Sequence, residues 1–227
     1  MFIDEFYGDQ FYKQLSLGYR ASFSFGQFFW THAYYPHENL ELWRPIPDLN
    51  EPTKTIASAF RITTAGQDAF CRSLPLHAPA LETNEEFLVI RAKRRPAVLI
   101  QPEIPLHGVR NRGYRGRIER RRCLVAQVFG LADTKTGQSQ FNPSFIDRVR
   151  KMEFPQFIFL PRKAGLLGVD SLLRLDELQS VFTPHLDATQ YSMGDDLAEI
   201  LRGQIAYLLL GAGPSDYTEL RELLLRG

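Results

Sequence analysis

The feature that most limits what this chain can fold into is a series of short apolar segments separated by turn-forming residues. The segments lie at residues 26–35, 87–90, 97–101, 123–131, 157–160 and 171–175. They are rich in aromatic and branched residues and too short for ordinary helices, which is typical of β-strands. The segment at 123–131 is apolar almost throughout, as in a strand buried on both sides. A mainly β fold with a central strand at 123–131 is therefore predicted.

Two regions of the sequence carry helical periodicity instead. Asn142 and Pro143 form an N-cap and first-turn pair, and apolar residues recur at helical spacing until Pro155. Farther on, the N-cap signal at Ser192 precedes an apolar stripe that runs to Gly211, and a shorter stripe covers 216–226. These C-terminal helices are expected to pack on the sheet or on a second copy of the chain.

Residues 36–86 are the least regular part of the chain. Six prolines fall between residues 36 and 80, and proline lacks the backbone donor that a sheet interior needs. We interpret this region as an insertion or long loop with a short helix near 65–70. Residues 1–23 show no clean period and are expected to form a short helix or an extended arm.

Composition excludes several classes of protein. The 227 residues carry 27 basic and 26 acidic side chains, a formal net charge of +1, so the whole molecule has no field that attracts nucleic acid. The acidic N-terminus does not resemble a signal peptide, and the longest apolar stretch is far below the roughly 20 residues of a membrane span. A cytoplasmic protein with no membrane contact is expected.

The two cysteines, Cys71 and Cys123, are far apart and are interpreted as reduced thiols without a metal.

Local charge is uneven despite this balance. Residues 107–122, HGVRNRGYRGRIERRR, hold seven arginines against one glutamate. The arginines are Arg110, Arg112, Arg115, Arg117, Arg120, Arg121 and Arg122. A second basic group at 91–95 lies at the other side of the 97–101 strand, so both could join in one patch. Guanidinium groups bind phosphate and stack on bases, which favours single-stranded nucleic acid as a ligand. The alternative is a solvated loop that pairs with the acidic segments at the N-terminus and at 82–86.

Other chemical motifs are weaker. The sequence has no glycine-rich dinucleotide fingerprint, no phosphate loop and no HExxH zinc motif. His32 on the first strand and His107 beside the arginines are candidate proton carriers, although a lone histidine is more often structural. Asp176 and Glu177 are expected to serve a turn or a salt bridge.

Several of these segments together resemble the PemK/MazF-like toxin family. The matching strings are GQFFWTH at 26–32, RRPAVLIQ at 94–101, CLVAQVFG at 123–130, FPQFIFLP at 154–161 and DSLLRLDELQSV at 170–181. Their order and spacing carry the resemblance, which covers residue 24 to about residue 190. Two departures are the 36–86 insertion and the length of the arginine-rich loop.

The resemblance implies an SH3-like antiparallel barrel over residues 1–190, with C-terminal helices at 191–227. Members of this family are typically homodimeric toxins that cut single-stranded RNA without a metal or other cofactor and are neutralised by an antitoxin, here expected to be acidic. The alternative within the same fold is a catalytically silent module that binds nucleic acid or a protein.

The resemblance also assigns roles to residues. Arg95, before the proline of the second core strand, is similar to the family's catalytic arginine, which stabilises charge on a pentavalent phosphorus. Where the family has a small hydroxyl residue, this chain has Phe129. Thr134, or else Thr136, is the candidate replacement hydroxyl. Arg94, Gln101 and the seven arginines of residues 110–122 are expected to bind the RNA, and Arg95 has a surface ion pair as its alternative role.

Overall fold

The computed structural model describes residues 1–34, 50–51, 92–102 and 122–226, and the backbone of three strands at 41–47, 55–61 and 87–89. It divides into two compact units, Met1–His32 with Arg94–Gly227, and Ala33–Lys93. The strands in chain order are β1 (Tyr12–Gln14), β2 (Gln27–Tyr34), β3 (Glu41–Pro47), β4 (Thr55–Arg61), β5 (Phe87–Val89), β6 (Ala92–Gln101), β7 (Arg122–Gly130), β8 (Phe157–Leu160), β9 (Ser171–Phe182) and β10 (Asp187–Met193). The helices are α1 (Ile3–Tyr7), α2 (Pro143–Arg150), α3 (Asp195–Leu210) and α4 (Ser215–Arg226), with short 3₁₀ turns at Gly8–Phe11 and Thr183–His185.

Seven strands form the main sheet, in the order β1-β10-β2-β6-β7-β9-β8. The strand pairs whose register is described run antiparallel, so the mainly β, antiparallel prediction is confirmed. The sheet is not closed into a barrel, and the SH3-like barrel that the resemblance implies is not confirmed. A side chain links its two edges instead: the Tyr12 hydroxyl on β1 donates a hydrogen bond of 2.7 Å to the carbonyl of Pro161, just after β8.

The prediction of a central strand at 123–131 is confirmed by β7. It lies between β6 and β9 and is buried on both faces. Ala126 and Val128 belong to a large apolar core, which also receives Leu197 and Leu201 from α3. Cys123 and Val125 point to the opposite face, into a smaller cluster. Cys123 is a buried free thiol, as expected.

The helix predicted after Asn142 and the two predicted near the C-terminus are present, with one correction at a helix start. The Asn142 side chain accepts a 2.9 Å hydrogen bond from the Ser144 amide, which caps α2. Ser192 does not cap α3: it is buried within β10, and Gly194 takes the N-cap position. Sequence reasoning missed β10 because DATQYSM has few apolar residues. The Gln204 side chain joins α3 to the sheet by donating to the carbonyls of Pro155 and Phe157 at 2.9 Å each.

The interpretation of residues 36–86 as a loop is wrong for two segments. Residues 41–47 and 55–61 are strands, and with β5 they form a second sheet in the order β4-β3-β5. Pro45 and Pro47 are tolerated in β3 because β5 pairs only with residues 41–43, which leaves the proline half of β3 paired on one side. The helix expected near 65–70 lies outside the described residues. At the N-terminus both alternatives occur, since a short helix precedes a short strand.

A buried tyrosine between the two C-terminal helices gives a prediction about stability. Tyr217 is fully buried, and its hydroxyl has no hydrogen-bond partner among the described residues. An unsatisfied buried hydroxyl costs about 1–3 kcal/mol, so Tyr217→Phe is expected to raise the free energy of unfolding by about 1 kcal/mol at pH 7. The measurement is urea denaturation.

The same tyrosine predicts a loss of stability in alkali. The pKa of Tyr217 is raised to about 12, mainly by burial, with a smaller lowering by the charge of Arg221 and a small rise from Tyr207. The unfolded chain therefore ionises first, and stability that is complete below pH 10 falls as the pH rises toward 12. The Phe variant should lose less stability across this interval than the wild type. An equal loss in both proteins, or no gain at pH 7, would contradict the assignment.

Candidate nucleic-acid interface

Arg95 and Phe129 lie side by side on neighbouring strands. The register of β6 and β7 pairs Ala97 with Gln127, and its continuation places Arg95 opposite Phe129. The guanidinium carbon of Arg95 is 4.4 Å from the centroid of the Phe129 ring. Both side chains are half-buried, and the ring packs against the large core. Phe129, the residue at the position where the resemblance implies a hydroxyl, thus lies beside Arg95.

A second arginine, Arg174 of β9, approaches the same ring. Its guanidinium carbon lies 5.4 Å from the Phe129 centroid and 5.9 Å from that of Phe157. Arg174 forms ion pairs with Asp176 and with Glu177, each with an N···O distance of 2.7 Å. These pairs confirm the salt bridge expected for the two carboxylates. The hydrogen bond to Asp176, with the charges of both carboxylates, raises the pKa of Arg174. The guanidinium is therefore fixed in position and largely neutralised.

Two glutamines support the cluster from within the sheet. Gln127 is only 3% exposed, and its amide donates a 2.8 Å hydrogen bond to the side-chain oxygen of Gln179. The Gln179 amide donates in turn to the carbonyl of His32 at 3.0 Å. These bonds connect β7, β9 and β2, so they fix the strands that carry Phe129 and Arg174. Sequence reasoning missed Gln127, although a polar residue inside the apolar string CLVAQVFG was a usable signal.

Arg94 lies on the other face of the sheet from Arg95, because side chains alternate along a strand. Its guanidinium donates a 2.7 Å hydrogen bond to Asp187 and lies 5.4 Å from the Trp30 ring. Asp187 and Trp30 are themselves cross-strand partners. The structure does not bring Arg94 to the Arg95 cluster, and any contact of Arg94 with RNA would be made from a separate surface.

Gln101 and Arg122 mark the opposite end of the β6–β7 pair from Arg95. Gln101 pairs with Leu124, and Arg122 begins β7 with its guanidinium 4.8 Å from the Phe182 ring. Seven residues separate Arg122 from Phe129, which is about 23 Å along a strand. Arg122, the last residue of the arginine-rich segment, therefore lies at the far end of β7 from Phe129. The arginines at 110, 112, 115, 117, 120 and 121 lie outside the described residues, as does His107.

The candidate hydroxyl Thr134 lies in an exposed turn after β7. The Asp133 carboxylate accepts hydrogen bonds of 2.8 Å from the backbone amides of Lys135 and Thr136, and the Thr136 hydroxyl also donates to it. The side-chain hydrogen bonds described for this turn stay within residues 133–138, so they do not link Thr134 to Arg95. The His32 side chain is exposed, and only its carbonyl takes part in the glutamine chain.

Comparisons with known proteins do not assign this cluster. No protein-family model, no curated protein and no solved structure matches the chain. Within the described residues no helix is long and apolar enough to cross a membrane. The same part of the chain holds no group of three or more metal-ligating side chains. What this cluster binds therefore has to follow from the chemistry of its arginines and aromatic rings.

Proposed function

We propose that this chain is a single-stranded RNA-binding protein of the PemK/MazF-like, SH3-like architecture, which holds RNA at Arg95 without cutting it. The observation that carries the proposal is the 4.4 Å contact between the Arg95 guanidinium and the Phe129 ring. An arginine on an aromatic ring is an arrangement that recurs in proteins that bind single-stranded nucleic acid. The resemblance to the family supports RNA as the polynucleotide.

The chemistry of Phe129 favours binding over cleavage. Attack by a ribose 2′-hydroxyl requires that groups around the phosphate orient the nucleophile and move protons. A phenyl ring neither donates nor accepts a conventional hydrogen bond, so Phe129 cannot replace a threonine or serine in that role. Arg95 still has a planar set of N–H donors suited to phosphate oxygens. The cluster therefore has a guanidinium that suits a phosphate but lacks the hydroxyl residue that cleavage would need.

Substitution of Arg95 tests this proposal. We expect the wild type to bind labelled single-stranded RNA and to leave it intact in excess chelator. Arg95→Ala should weaken binding about tenfold, the low end of the cost of losing a stacked contact in such sites. Arg95→Lys should give an intermediate affinity, because it keeps the charge and loses the planar fork. Fluorescence anisotropy and gel analysis of the RNA provide the two measurements.

Arg20→Ala is the matched control. Arg20 is an exposed arginine 5.4 Å from the Tyr19 ring, on the loop before β2, and its loss should not change affinity. Failure of the wild type to bind RNA would overturn the proposal. Cleavage by the wild type that disappears in Arg95→Ala would replace it with the metal-independent endoribonuclease that the resemblance implies.

A homodimer and an acidic antitoxin belong to the same proposal, on the strength of the resemblance alone. Light scattering of the purified chain tests the first: a mass near 52 kDa is expected, since one chain weighs 26.1 kDa. A monomer at micromolar concentration would remove the dimer from the proposal and leave RNA binding at Arg95 untouched.

A further inference from the structure

Aromatic side chains continue from the Arg95 cluster across the sheet to α2. Phe157 lies 6.1 Å from Phe154, Phe154 lies 5.5 Å from Phe145, and Phe145 stacks on Phe141 at 5.5 Å with 23° between the ring planes. Arg174 bridges Phe129 to Phe157, with its guanidinium carbon within 6 Å of both ring centroids. We call Phe129, Phe157, Phe154, Phe145 and Phe141 the phenylalanine row.

The strand register places the sheet part of this row on one face. Phe157 of β8 pairs with Arg174 of β9, and Arg174 pairs with Gln127 of β7. Residues paired in this way point to the same side of a sheet, and Phe129, two residues after Gln127, points there as well. Phe129 and Phe157 therefore lie on one face of the sheet, where the row begins at the Arg95 cluster.

The rings of the row are partly exposed, and arginine guanidinium groups lie against three of them. Phe129, Phe145, Phe154 and Phe157 are half-buried and pack on the large core with part of their surface, while Phe141 at the end is 37% exposed. Such rings suit ligands that stack.

Two guanidinium groups beside the row are paired with carboxylates. Arg148, whose guanidinium lies 4.5 Å from the Phe154 ring, forms a two-point ion pair with Glu153 at 2.7 and 2.5 Å. Arg174 is paired with Asp176 and Glu177. Arginines that are paired in this way attract phosphate less than unpaired ones, so the rings beside them are better matched to planar bases than to the RNA backbone.

From this we infer that the phenylalanine row stacks the unpaired bases of the RNA whose phosphate is held at Arg95. The inference rests on the proposed function and adds that the bases and the phosphate are bound by different side chains. Stacking by the row contributes affinity that does not depend on salt, whereas the phosphate contact at Arg95 contributes a salt-dependent part. Paired bases cannot stack on the row, so duplex RNA is excluded from it.

Phe141→Ala tests the inference, because the exposed ring can be removed at little cost to the core. We expect single-stranded RNA affinity to fall about fivefold, as for one lost base–aromatic stack, with an unchanged slope of log Kd against log salt concentration. Phe141→Trp should bind at least as tightly as wild type, and its added indole fluorescence should be quenched by RNA. Phe6→Ala, which removes a 47% exposed phenylalanine outside the row, is the control and should bind like wild type.

The outcomes separate the two proposals. Wild-type binding with equal affinity in Phe141→Ala would overturn the phenylalanine row and leave RNA binding at Arg95 standing. A reduced salt slope in Phe141→Ala, or a duplex of the same sequence competing as well as the single strand, would also overturn it. A wild type that binds no RNA at all would overturn both.

Discussion

Gly194→Ala is expected to lower the free energy of unfolding by about 3 kcal/mol, because a β-carbon there has no space. Built on the backbone of Gly194, it would lie 1.9 Å from the carbonyl oxygen of Gln10. That oxygen belongs to the main chain of the 3₁₀ turn before β1, so a side-chain rotation cannot relieve the clash. The N-terminal segment or the β10–α3 corner must move.

Movement at this corner would break several contacts at once. The Gly194 amide donates a 2.9 Å hydrogen bond to the carbonyl of Phe11, and Met193 pairs with Tyr12 in the register of β1 and β10. Phe11 and Met193 are both buried in the large core. We therefore expect a melting temperature of the order of 10 °C below that of the wild type, and faster proteolysis of the N-terminal segment.

Gly18→Ala is the matched control, since a β-carbon at Gly18 meets no atom within 4 Å. Its melting temperature should remain close to that of the wild type. Urea and thermal denaturation of the three proteins provide the comparison. A loss below 1 kcal/mol in Gly194→Ala would show that the N-terminal segment is not held against the start of α3 as described.

Replacement of Arg120, Arg121 and Arg122 by alanine is expected to have the largest effect on RNA binding. Each phosphate contact to a single strand contributes about 0.7 to the slope of log affinity against log salt, so the slope should fall by about 2. At 0.15 M salt this fall in slope corresponds to binding that is roughly 50-fold weaker than that of the wild type. Arg122 itself is exposed and packs beside the Phe182 ring, so its replacement should leave the core intact.

The triple lysine variant separates charge from geometry. It keeps three positive charges, so the salt slope should stay near the wild-type value, while some affinity is lost with the guanidinium forks. An unchanged slope in the alanine variant would mean that these arginines form a solvated loop, the alternative that the sequence left open.

Much of the fold was predictable because residues close together in the sequence determine it. The cap at Asn142 predicts the helix from Pro143. An apolar stripe that ends at Gly211 predicts α3, and a continuous apolar run predicts β7. These signals need only neighbouring residues. The strands that were missed lack the length or the composition that is typical of a strand. β1 has three residues, β10 is mostly polar, and β3 contains two prolines.

The candidate site was predictable only in part. The sequence by itself determined that Arg95 lies on a strand and that arginines concentrate at 107–122, and it placed Phe129 where the resemblance implies a hydroxyl residue. The tertiary structure decided that Phe129 lies beside Arg95, that Arg174 completes the cluster and that Arg94 faces away. The reason is physical: composition and periodicity record what each segment prefers, whereas strand register depends on pairing between distant segments. A shift of one residue in that register would have turned the cluster to the other face of the sheet.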